Sequence, residues 1–202
     1  MPDLLIIRHG ESEWNVERRW QGWRDAPLTP TGERQARDRA AALTLTGFAP
    51  RLIHASDLGR AHRTALIVSE VLGVECRTDQ GFRERSGGEW EGSTAVEIEA
   101  RWPGMRDAWR RGEITAPPGG EEDHHVIGRF DAALAVAVDH GLPALIVTHH
   151  GVLRLAATRA GVPVDALIPN LGGYWFDLVD GLLANPVPLD PFLETAEIPA
   201  TE

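Results

Sequence analysis

The sequence predicts an α/β protein with a ligand crevice at the carboxyl ends of parallel strands. Three observations carry this. Leu4-Leu5-Ile6-Ile7 and Ala144-Leu145-Ile146-Val147-Thr148 are aliphatic runs of buried-strand length. Both lead into histidine and glycine, as Arg8-His9-Gly10 and His149-His150-Gly151. Between them, helix-periodic stretches alternate with further short apolar runs, the rhythm of strand–helix–strand units. If the two strands are neighbours in a parallel sheet, His9 and His149 meet over one crevice, because open α/β sheets bind ligands beyond the carboxyl ends of their strands.

The 202 residues suit one globular domain with room for an inserted subdomain, enough to bury a core without staples. A formal net charge of -10 argues against nucleic acid or an anionic membrane as a partner. It leaves room for a small phosphorylated metabolite, since two or three arginines make a local positive pocket on an acidic body. Cys76 is the only cysteine, so no internal disulfide is possible. No apolar run approaches membrane-spanning length, and the first one is too short for a signal peptide. The expectation is a cytoplasmic protein, with which a homodimer is compatible.

Taken in order, the opening strand is followed by a polar, Trp-rich stretch to Asp25 that reads as loop or short helix, in which Gln21-Gly22 could bring a side-chain amide and a bare backbone close to a ligand. Thr29 caps a helix with Pro30 at its first position and Glu33 in its first turn, closed by Gly47. Residues 51–55 read as a second strand. Ser56 is expected to cap the next helix, whose apolar stripe is Ala61, Ala65, Val68 and Leu72. Residues 74–77 read as a third strand. Dense glycine around Glu84, Glu89, Trp90 and Glu91 marks a loop with special backbone angles. Residues 93–120 are the least regular stretch and read as a lid-like insertion, and 121–140 as a long helix. A strand pair turns at Asp180-Gly181, which sets the domain at 1–187 and leaves a Pro-rich acidic tail at 188–202.

Arginine beside histidine suits a phosphate: the guanidinium clamps oxygens while a ring nitrogen attacks phosphorus. Arg60 in the first turn of its helix opposes the helix dipole unless an anion is near, and a bound phosphate would be one. A carboxylate of the Gly-rich loop, shielded by Trp90, has the setting of an acid, although spacing does not choose between Glu84, Glu89 and Glu91. His124-His125 is expected to face solvent, because adjacent histidines point apart on a helix.

Together these pieces resemble the histidine phosphatase superfamily, or phosphoglycerate mutase-like family. The matching motifs are Arg8-His9-Gly10-Glu11 with Asn15, Gln21-Gly22, Ser56-Asp57-Leu58-Gly59-Arg60-Ala61, Glu84 with Gly88 and Trp90-Glu91-Gly92, and Val147-Thr148-His149-His150-Gly151-Val152. The resemblance implies a three-layer α/β/α sandwich with a mostly parallel central sheet, and catalysis with no cofactor and no metal. It makes His9 the nucleophile that becomes a phosphohistidine. Arg8, Arg60 and His149 would surround the phosphoryl oxygens, and Glu84 would protonate the leaving oxygen. Ser12, Asn15, Gln21, Gly22 and the backbone near His150 would bind substrate.

Two branches fit this pattern. Glu11-Ser12-Glu13-Trp14-Asn15 and Arg110-Arg111 look like the mutase. Ala95 stands where mutases usually carry a lysine, and Glu84-Arg85-Ser86-Gly87 replaces their Glu-Arg-His-Tyr. The resemblance therefore favours a phosphatase for small phosphomonoesters over a cofactor-dependent phosphoglycerate mutase. A metal-dependent hydrolase lacks a His-Glu-x-x-His pair among the eight histidines. A non-catalytic phosphate-binding module would leave competent residues at every expected catalytic position unexplained.

Overall fold

The computed structural model describes residues 4–162 and 167–189. Six strands form one sheet in the order β3-β2-β4-β1-β5-β6. They are β1 (Leu4–Arg8), β2 (Leu52–Ala55), β3 (Cys76–Thr78), β4 (Ala144–Thr148), β5 (Gly173–Val179) and β6 (Leu182–Pro188). The first four run parallel; β5 is antiparallel to β1, and β6 to β5. The expected neighbours β1 and β4 pair directly, Leu4 opposite Ala144 and Arg8 opposite Thr148. Both strands are buried along their whole length, which is why they read as unbroken aliphatic runs.

The period of two sorts their side chains into two cores. Leu5 and Ile7, with Leu145 and Val147, pack against helices α2 (Pro30–Leu45) and α3 (Gly59–Leu72). Leu4 and Ile6, with Ala144 and Ile146, pack against α6 (Asp123–Asp139) and α7 (His150–Arg159). The sandwich therefore has three layers, as the resemblance implies. Helix α1 (Glu13–Val16) lies in the loop after β1, and α4 (Ala95–Arg101) and α5 (Met105–Arg110) in the insertion.

Thr29 caps α2 as expected, its hydroxyl accepting from the Gly32 amide at 2.9 Å. Gly10 and Gly32 let that first turn approach the end of β1. A Cβ on Gly10 would stand 2.6 Å from the Gly32 carbonyl oxygen. Helix α3 departs from expectation. Leu58, not Ser56, is its N-cap, and Ser56 accepts from the Leu58 amide at 3.2 Å. The capping pattern misleads because the Ser56 hydroxyl serves the site instead. Strand β6 runs one residue past the expected boundary, through Pro188; the tail beyond Leu189 lies outside the described residues.

Candidate active site

β1 and β4 end side by side, and their next residues are His9 and His149. The His9 amide donates to the Thr148 carbonyl at 2.9 Å, which locks the two strand ends in register. The imidazoles meet edge to face with centroids 5.2 Å apart. Both histidines are buried, and each is held well below the ordinary histidine pKa, first by burial and then by the Arg60 charge. His9 is therefore neutral. Its Nδ1 lies 2.7 Å from the Gly10 carbonyl oxygen, which can only accept. Nδ1 must carry the proton, and Nε2 is left with a lone pair.

Two guanidinium groups share the cavity with His9, and both act on it electrostatically. Arg8 donates to the Ile168 carbonyl at 2.6 Å, and burial brings its pKa down only to about 10, so it stays charged at neutral pH. Arg60 is almost fully buried in the first turn of α3. The anion expected there is in part Asp25, whose carboxylate accepts from the guanidinium at 2.9 Å and from the Arg60 amide at 3.4 Å. The carbonyls of Gly22 and Arg24 accept two further bonds, at 2.8 and 3.2 Å. Arg63, one turn on, is exposed and paired with Glu33. His149 Nε2 lies 2.8 Å from the Ser56 hydroxyl, while its buried Nδ1 has no partner among the described residues.

Among the three carboxylates, Glu84 lines the cavity with His9, Arg8, Arg60 and His150. Two amides hold it: Arg85 N–H donates to Oε1 at 2.8 Å and Gly151 N–H to Oε2 at 3.0 Å. Gly151 has to be glycine here, since a Cβ would fall 2.5 Å from Glu84 Oε1. Glu89 pairs with Arg101 on the surface. Glu91 is structural: it accepts from the Trp23 and Gly87 amides at 2.9 and 2.8 Å and joins two loops. Trp90 does not line the cavity. It is fully buried in an edge-to-face cluster, 5.2 Å from Trp20 and 6.0 Å from Trp109.

Asn15 and Gln21 present donors to the cavity. Asn15 Oδ1 accepts from the Ser12 amide and Asn170 Nδ2, and Gln21 Oε1 from the Ser12 hydroxyl, and neither NH2 group has a partner among the described residues. Ser12 itself is fully buried and does not line the cavity; it stands behind Asn15 and Gln21, to which its hydroxyl donates. Gly22 and His150 do line it. His124 and His125 are exposed, as expected, but their rings do not diverge: the centroids are 3.9 Å apart. Among the described residues no group of three His, Cys, Asp or Glu is arranged to hold a metal.

The sequence reading missed the supports. Asn170 donates to the His9 carbonyl at 2.9 Å, and the Gly10 amide donates to Thr64 at 3.0 Å. Arg129 on α6 pairs with Glu121 and donates to the carbonyls of Gly81, Arg83 and Glu84 at 2.9, 2.6 and 2.8 Å. A single arginine thereby fixes the backbone that carries Glu84. Only Arg129's place inside a helix next to the Gly-rich loop hints at this. Arg129→Met is expected to lower kcat about 10- to 100-fold with KM changed less than about threefold, because what it removes is positioning. Steady-state kinetics on an alkyl phosphate check this; an unchanged kcat would count against it.

The cavity over these residues measures about 1150 Å3, far more than a phosphoryl group fills. Its outer wall includes Trp20, Arg85, Trp109, Arg110, Ile114 and Arg154. Insertion residues therefore face the site. Arg111 does not, being paired with Glu113, and Ala95 is exposed.

Comparison with known proteins agrees with this geometry. The model of the histidine phosphatase superfamily (branch 1) matches residues 4–169. A glucosyl-3-phosphoglycerate phosphatase of Mycobacterium tuberculosis is 38% identical over 181 residues, which cover 84% of this chain and 80% of that protein. A 2,3-bisphosphoglycerate-dependent phosphoglycerate mutase of Methylobacterium radiotolerans is 32% identical, over 83% of each. The solved mycobacterial glucosyl-3-phosphoglycerate phosphatase in complex with VO3 superposes with a TM-score of 0.81 at 30% identity, covering 93% of this chain and 97% of that one. Arg8, His9, Arg60 and His149 thus converge in a fold and a sequence context shared along nearly the whole chain, and the protein belongs to the histidine phosphatase superfamily.

Proposed function

We propose that this chain is a phosphatase hydrolysing small phosphomonoesters through a phosphohistidine on His9. The observation that carries the reading is the contact of His9 Nδ1 with the Gly10 carbonyl: it commits Nδ1–H, so Nε2 offers its lone pair to the cavity that Arg8 and Arg60 also line. Attack forms the N–P bond and breaks the ester P–O bond. Glu84 gives a proton to the departing oxygen, which avoids expelling a bare alkoxide. Arg8, Arg60 and His149 Nδ1–H stabilise the charge spread over the phosphoryl oxygens, with the amides of Asn15 and Gln21. Ser56 can donate to His149 Nε2, which keeps Nδ1 the protonated nitrogen. Water then attacks phosphorus, Glu84 takes its proton, and His9 is restored. Every charge to be met faces a side chain, so no step calls for a metal.

The relatives named as glucosyl-3-phosphoglycerate phosphatases make that ester the first substrate to try, and the cavity has room for a sugar beside the ester. The mutase reading is weaker, because Ala95 supplies no cation where a lysine would grip phosphoglycerate. Residues 93–120 act as the lid that selects substrate, through Trp109, Arg110 and Ile114. The domain runs to the end of its last strand at Pro188, and the cytoplasm is its compartment. The decisive assay supplies 3-phosphoglycerate with a 2,3-bisphosphoglycerate primer, with and without a chelator. Phosphate release exceeding isomerisation, unaffected by chelation, is the expected result; efficient isomerisation without release would overturn it.

A further inference from the structure

The chain contains 20 arginines and no lysine, so every side-chain anion contact it makes through a permanent cation is made by a guanidinium. Five of those arginines line the cavity together with protein partners. Arg8 and Arg60 hold carbonyls and Asp25 at the phosphoryl end. Arg19 is tied to Glu17 and Glu97, Arg85 to Asp123, and Arg110 to Asp107. Arg154 is different. It lines the same cavity and is half-buried, yet it has no hydrogen bond or ion pair among the described residues.

Its position gives this meaning. Arg154 comes four residues after His150 on α7, so both side chains lie on one helix face, about 6 Å apart along the axis. Helical side chains lean toward the N-terminus of their helix, and the N-terminus of α7 is the phosphoryl site. Arg154 accordingly lines the cavity beside His150, whose ring feels its charge. Of the carboxylates lining the wall, Asp123 is paired with Arg85 and Glu84 is held by two amides, and neither pairs with Arg154 among the described residues. A partly desolvated guanidinium that has no anion of its own among the described residues, in the wall of an anion site, is a binding group for a second anion.

We propose that Arg154 is a specificity-determining residue that binds a second oxyanion, carried on the part of the substrate that is not transferred. This rests on the phosphatase reading for the ester at His9 but adds a requirement to it. The ester's organic part must bear a carboxylate or a second phosphate within a few bonds of the reacting phosphorus. A guanidinium binds either group in bidentate fashion.

The test compares wild type with Arg154→Gln and Arg154→Lys on three ligands. These are 3-phosphoglycerate, glycerol 3-phosphate, which has a hydroxymethyl group in place of the carboxylate, and propane-1,3-diyl bisphosphate. Arg154→Gln is expected to lower kcat/KM for 3-phosphoglycerate or the bisphosphate about 10- to 100-fold, through KM, with glycerol 3-phosphate changed less than about twofold. The more affected ligand identifies the oxyanion, and Arg154→Lys should restore part of the loss. Calorimetric Kd values for the same ligands give the same ratio independently of turnover. If wild type binds them but releases no phosphate, the phosphatase reading fails, while the Kd ratio still decides the subsite. An Arg154→Gln variant that loses all three ligands equally, or none, overturns the proposal.

Discussion

His9→Asn is expected to lower kcat for p-nitrophenyl phosphate by at least about 10^4-fold, the scale seen when a nucleophile is removed from an intact site. Asparagine is the informative replacement. Its amide can still donate to the Gly10 carbonyl that His9 Nδ1 faces at 2.7 Å, so the bend after β1 stays supported. Arg8 keeps its bond to Ile168 and Arg60 its bond to Asp25, so the anion site survives and Kd for orthophosphate should change little. The companion measurement is a rapid quench with labelled substrate. Wild type should carry label that is stable in alkali and labile in acid, as an N–P bond is, and the variant should carry none. A variant keeping more than about 1% of the wild-type rate would remove His9 from its role.

Glu84→Gln should separate substrates by their leaving groups. An alkoxide leaves only if protonated, so alkyl phosphates are expected to lose about 10^2- to 10^4-fold in kcat. p-Nitrophenolate is stable without a proton, so p-nitrophenyl phosphate should lose much less. Glutamine keeps the size and one acceptor oxygen, but its NH2 group must then face either the Arg85 or the Gly151 amide, at a cost of one bond. That cost applies equally to every substrate. Equal losses on both esters would therefore mean that Glu84 only holds the loop, and the general-acid role would be withdrawn.

Much of the fold and site was legible in the chain because strand burial leaves a strong mark. β1 and β4 are covered on both faces, so their aliphatic runs stand out, and the residues just after each run stand by geometry at the crevice. Arg60 was legible from its position at a helix start, where a cation is out of place. The supports were not legible, because they are contacts between residues far apart in sequence. Asn170 reaches His9 across 161 positions, and Arg129 reaches Glu84 across 45. Ser56 was misread because a serine ahead of a helix is usually a cap, whereas here its hydroxyl meets His149 across 93 positions. Spacing alone did not choose among Glu84, Glu89 and Glu91; the family resemblance pointed to Glu84, and the fold shows that this is the carboxylate that meets the first turn of α7.

The Arg60–Asp25 contact bears on how fast the enzyme is freed after each cycle. Asp25 and the two carbonyls fix the guanidinium with protein contacts alone, so no side chain has to be recruited as charge builds on phosphorus. The same carboxylate offsets part of the positive potential felt by a resting dianion. Orthophosphate is thereby expected to be held less tightly than two bare guanidiniums would hold it, so that product inhibition is eased by a residue that stands behind the reaction.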